Sequence, residues 1–118
     1  TKMAHSLGAS GVMVTPSKEP SPVSPNGLVE YYGRVAEGSP GFPIVLQDHP
    51  ASTQVHMSIE LVHRITCAIE EIKSVKLEAL PSPPKVVQLR SMWEDTSSAA
   101  GDCTILTGLG ALYGAYEL

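Results

Sequence analysis

A lysine and a glutamate stand two residues apart in the run Ser74-Val75-Lys76-Leu77-Glu78-Ala79. The run has the composition of a β-strand, whose successive side chains point to opposite faces. Lys76 and Glu78 therefore share one face, and Val75 and Leu77 the other. In a sheet covered by helices both faces are buried, so a lysine there must be paired, neutral or used. Burial disfavours the ammonium and yields an amine that can attack a carbonyl to form a Schiff base. An ionised Glu78 close by opposes that shift. Taken alone, the stretch fits a Lys76–Glu78 ion pair or a snorkelling edge lysine better than a nucleophile.

Other chemistry-bearing residues recur at the ends of apolar runs: Thr15-Pro16-Ser17, Gln47-Asp48-His49 and Thr107-Gly108. Asp48 beside His49 has the residue types of an acid–base pair, although neighbours on a strand point apart and loop polarity explains them equally well. His56 and His63 lack a further ligand at metal-site spacing and read as surface histidines. Gly108-Leu109-Gly110 before a helix could cradle an anion, but it lacks the full dinucleotide fingerprint, and a tight strand–helix turn accounts for it as well. Tyr31-Tyr32 reads as helix packing, and Ser82-Pro83-Pro84 as a rigid connector.

The elements that would position these residues alternate. Strands are expected near residues 11–15, 43–47, 74–78 and 103–107. Leu28, Tyr31, Tyr32 and Val35 recur at helical spacing over 26–37, begun by Ser24 or Asn26. Ser58 caps a helix over 58–72, striped by Ile59, Val62, Ile65, Ile69 and Ile72. Val86, Leu89, Met92 and Trp93 mark a short helix, and Leu112 to Leu118 a last one. Ala4, Leu7 and Gly8 suit the end of an earlier helix. Ser17 to Pro25 and Ser97 to Gly101 read as loops. Strands alternating with helices imply parallel pairing and right-handed crossovers. In such folds working residues collect where strands end, which would bring the four candidate ends to one rim.

The 118 residues fit a single domain, 1–118, and 42% of them are hydrophobic, as in ordinary globular chains. A net charge of −4 without a basic block speaks against nucleic acid. No apolar run reaches bilayer-crossing length, and the first residues do not form a signal peptide. Cys67 and Cys103 lack a disulfide or metal pattern and suggest buried thiols in a reducing compartment, hence a cytoplasmic location. The absence of an initial methionine is read as the mark of a fragment.

Four stretches, Leu7 to Pro16, Pro43 to Pro50, Val75 to Glu78 and Thr104 to Gly108, resemble the dihydrodipicolinate synthase and N-acetylneuraminate lyase family of class I aldolases. Their order is similar to the fourth to seventh units of that family's (β/α)8 barrel. The resemblance implies an α/β fold, a parallel (β/α)4-type partial TIM barrel. It implies that Lys76 forms a Schiff base with pyruvate or another 2-oxo acid, with an aldehyde as second substrate and neither metal nor organic cofactor. Gln47 stands where the family usually has a proton-relaying tyrosine, and an amide cannot donate a proton as a phenol does. Asp48, His49 or water would then take that role. Gln47, Asp48 and His49 join Lys76 as catalytic candidates, and Thr15, Glu78, Thr107 and Gly108 as substrate-binding candidates. A closed barrel needs about 250 residues, so the chain is expected to be an unstable monomer that pairs with another copy or another chain. The alternatives are a non-catalytic half-barrel and a flavodoxin-like module binding a small molecule or phosphate at Gly108-Leu109-Gly110.

Overall fold

The computed structural model describes residues 1–17, 23–96 and 102–117. Helix α1, Lys2–Ser6, is followed by Gly8 at φ 84°, a left-handed turn that glycine adopts without penalty. Strand β1 is Val12–Val14, helix α2 Pro25–Glu37 and strand β2 Ile44–Asp48. A short helix, α3, covers Pro50–Thr53, and α4 covers Ile59–Ala68. Strand β3 is Ile72–Leu77, helix α5 Ser82–Thr96 and strand β4 Thr104–Thr107. A 3-10 turn, Leu109–Ala111, and a final helix, α6, Gly114–Glu117, end the described chain.

Local chemistry sets the helix starts. Ser24 caps α2, its hydroxyl accepting from the Gly27 N–H at 3.1 Å, and Pro25 occupies the first turn, where a missing N–H costs nothing. Ser58 caps α4 by accepting from the Leu61 N–H at 3.3 Å. The expected 58–72 helix stops early. Ile69 leaves the helical region at φ −128°, ψ 105°, and Ile72 already opens β3. Both isoleucines still enter the core, so the apolar stripe runs through a change of backbone. Helix α5 is not short: it has 15 residues. Helix α3 falls where the sequence marks no element. The small-residue loop expected at Ser97 to Gly101 lies outside the described residues.

The four strands pair in parallel in the order β1-β2-β3-β4. This is the expected four-unit (β/α) arrangement, a partial TIM-barrel sheet. It also overturns the flavodoxin-like alternative. That fold places its ligand where strand order reverses, and the order here has no reversal.

One face of the sheet carries the helices. Ile44, Leu46, Val75 and Leu77 are buried there, in a core with Tyr32, Val62, Ile65, Leu89 and Trp93. Among the described residues the other face is bare. Met13, Val45, Ser74 and Thr104 lie side by side in one row, and Gln47, Lys76 and Leu106 in the next. Met13 is 51% exposed and Leu106 37%. A sheet covered on both sides was the starting assumption for Lys76; one side is open. In a closed barrel a face of this kind points inward.

Candidate active site

The extra residue Lys73 sets the orientation of β3. Ile44 pairs with Ile72, but Val45 pairs with Ser74, so β3 has one residue more than β2 at this point. Such a bulge switches which residues face which side. After it, Val75 and Leu77 point to the helices and Lys76 to the bare face. Gln47 lies beside Lys76 on β2, and Leu106 beside it on β4.

Glu78 joins these parts. The Lys76 ammonium lies 3.5 Å from Glu78 Oε1. Gln47 Nε2 donates to Glu78 Oε2 at 2.5 Å, and the Leu109 N–H donates to Oε1 at 3.2 Å. The Glu78 N–H in turn donates to the Asp48 carbonyl at 2.8 Å, continuing the ladder past the end of the strand. The side chain of Glu78 is 8% exposed and that of Lys76 26%. Burial by itself would raise the Glu78 carboxyl. The hydrogen bonds from Gln47 and Leu109, with the charges of Lys76 and His49, outweigh it and hold the group below the usual glutamate range. The site's centre is therefore a fixed anion with one cation and two donors on it.

Gly108 makes room for that anion. A β-carbon at this position would run into Glu78 Cγ and lie 2.9 Å from Cδ and 3.0 Å from Oε1. The turn that follows is strained: Leu109 and Ala111 sit at φ 51° and 59°, with Gly110 at 65° between them. Its Leu109 N–H is committed to a carboxylate of the same chain. This is an anion cradle of a kind, filled from within.

The other candidates divide between the two faces. Asp48 is fully buried on the helix side, in line with Ile44 and Leu46. Neither of its carboxylate oxygens accepts a hydrogen bond among the described residues, and Lys85 Nζ approaches Oδ2 at 3.9 Å. Burial raises its carboxyl above the usual aspartate range, against the charges of Lys85, His56 and His49. His49 turns to its own helix, its Nδ1 2.8 Å from Ser52 Oγ. Asp48 and His49 thus do not form a pair. Thr107 lies in register with Leu77, on the helix face, not beside Lys76. Thr15 is exposed just past β1, and its carbonyl accepts from the Tyr31 hydroxyl at 3.1 Å. Tyr32, fully buried, donates to the Val14 carbonyl at 3.2 Å. The tyrosine pair therefore packs, as expected, and also pins the end of β1.

Sequence reasoning missed two participants, the Leu109 N–H and Lys85. A backbone donor has no sequence signature, though a glycine directly after a strand signals close backbone approach. No group of His, Cys, Asp and Glu among the described residues could hold a metal ion. Cys67 and Cys103 form no disulfide among the described residues and are half-buried rather than buried. Burial pushes the Cys103 thiol up to about 11.

Consecutive parallel (β/α) units, with helices on one face among the described residues, define part of a (β/α) barrel. The comparisons narrow that class. Residues 1–111 match the model of the Dihydrodipicolinate synthetase family, and the chain belongs to that family. It is 28% identical to dihydrodipicolinate synthase from Rhodopseudomonas palustris, with a TM-score of 0.84 over 98% of this chain and 38% of that one. It is 27% identical to dihydrodipicolinate synthase from Thermotoga maritima, with a TM-score of 0.74 over 91% of this chain and 34% of that one. The chain thus spans little more than a third of the length of these structures. No curated protein matches it.

Proposed function

We propose that this chain carries the nucleophilic lysine of a class I aldolase-type lyase acting on pyruvate or a related 2-oxo acid. The observation that carries the reading is Lys76 on the bare face, at the carboxyl end of β3, 3.5 Å from a buried carboxylate. Membership of the dihydrodipicolinate synthetase family supports it. In the proposed reaction the Lys76 amine attacks the ketone carbon, water leaves, and the iminium draws electrons from the bond made or broken beside it. Neither a metal nor an organic cofactor is needed. An aldehyde is the second substrate.

Residues 1–118 form one partial-barrel domain in this reading, and the bare face is covered in the working protein by further strands, from another copy or another chain. The site then opens at the rim where Thr15, Gln47 and the Gly108 turn end their units. A cytoplasmic setting agrees with two cysteines outside any disulfide. No helix among the described residues is long and apolar enough to cross a membrane.

The test is turnover by the whole protein on a panel of 4-hydroxy-2-oxo acids, followed by pyruvate release. Lys76→Arg is expected to abolish release, since a guanidinium stays protonated. Release that survives Lys76→Arg would remove Lys76 from the catalytic role, and no release by the parent would leave the non-catalytic half-barrel ahead.

A further inference from the structure

Gln47 puts an amide where the family usually has a phenol, and the structure narrows what can replace it. Asp48 faces the helices, and His49 is turned to Ser52. The hydroxyls of Tyr31 and Tyr32 are spent on backbone carbonyls. A carboxylate is left, Glu78 Oε1, within 3.5 Å of the lysine nitrogen. We propose that Glu78 carries protons to and from the Lys76 nitrogen while the imine forms. The inference rests on Lys76 being the Schiff-base lysine and deepens that reading.

The geometry divides the carboxylate's labour. Oε2 takes the Gln47 amide, and Oε1 takes the Leu109 N–H and faces the ammonium. Gln47 thus acts as a positioning residue, and Gly108 keeps the space open. The charged groups around Glu78 are few. Lys76 comes from its own strand, and His49 and Asp48 from the end of β2. The turn after β4 contributes the Leu109 N–H.

Glu78 takes a proton from the Lys76 ammonium. The freed amine attacks the ketone carbon of the 2-oxo acid, and a proton passes from nitrogen to the new alkoxide, giving a neutral carbinolamine. The Glu78 carboxylic acid protonates its hydroxyl, the C–O bond breaks, and water departs. The products are a protonated imine, water and the Glu78 carboxylate. One ammonium and one ketone have been consumed and no redox partner is needed.

The experiment times imine formation in the whole protein by quenching with borohydride in the presence of pyruvate and weighing the adduct. The parent should form it on Lys76. Glu78→Gln and Glu78→Ala should slow formation by about 100-fold, the lower end for a lost general acid–base, and reach the parent's final extent. Formate should restore the rate of Glu78→Ala in proportion to its concentration, and should leave Glu78→Gln, whose amide fills the space, unchanged. Circular dichroism matched to the parent establishes that the variants fold. A parent-like rate in Glu78→Gln would overturn the proposal, and so would slowing in Glu78→Ala that formate does not relieve. No adduct on Lys76 in the parent would instead remove the Schiff-base reading beneath it.

Discussion

Gly108→Ala is the smallest change that should disturb the site. The new methyl would run into Glu78 Cγ and lie 2.9 Å from Cδ, where apolar carbons rest at about 3.5–4.0 Å. Either the turn or the glutamate must move. The turn has little freedom: Ala111 N–H donates to the Gly108 carbonyl at 2.8 Å, and three successive residues hold positive φ. Glu78 is the part that gives way, and it leaves the Leu109 N–H at 3.2 Å and the Gln47 amide at 2.5 Å. Hydrogen bonds to a charged group contribute about 1.5–3 kcal/mol each. Partial recovery by water leaves an expected loss near 3 kcal/mol. Urea denaturation of the whole protein measures it, with an unchanged slope to show that the unfolded state is the same. In a Glu78→Ala background the clash partner is gone, so the same glycine change should cost less than about 1 kcal/mol. The coupling of about 2 kcal/mol is the decisive quantity. Additive losses, or a Gly108→Ala protein within about 0.5 kcal/mol of the parent, would refute the packing argument.

Asp48→Asn should change the pH dependence of stability. The folded Asp48 carboxyl is raised by burial, so its contribution is fully present below the unfolded value of about 3.9 and is lost as pH rises through the folded one. The variant should therefore gain on the parent as pH rises above about 4, whereas a constant difference in urea midpoint would count against it. Lys85→Met removes the cation 3.9 Å from Asp48 and should destabilise more at pH 7 than at pH 4, as paired melts would reveal. Trp93→Phe deletes the buried Nε1–Thr66 Oγ1 bond of 3.0 Å and leaves the hydroxyl unpaired on that side. A loss of about 1–2 kcal/mol in urea is expected, and no loss would show the bond to be immaterial.

Element order and parallel pairing were legible because apolar runs of strand length alternate with helical stripes. Lys76 and Glu78 were placed on one face by period two alone, and the structure keeps them there. Other features were out of reach for physical reasons. The bulge at Lys73 needs a partner strand to define it. The end of α4 at Ala68 was hidden because Ile69 and Ile72 serve the same core from different backbone conformations. Thr107 was grouped with Lys76 as a strand end, but register against Leu77 puts it on the opposite face. The separation of Asp48 from His49, by contrast, was legible, because a strand turns adjacent side chains apart. The carboxylate at the centre of the site was visible as a residue and not as a hub. Its donors come from 31 positions away on either side, Gln47 and Leu109.

The most direct measurement is a peptide map of the whole protein after borohydride reduction with pyruvate. A single adduct of pyruvate less one oxygen, on the peptide containing Lys76 and absent from Lys76→Arg, is the expected result. An adduct on another lysine, or none at all, would contradict the assignment of Lys76 as the nucleophile.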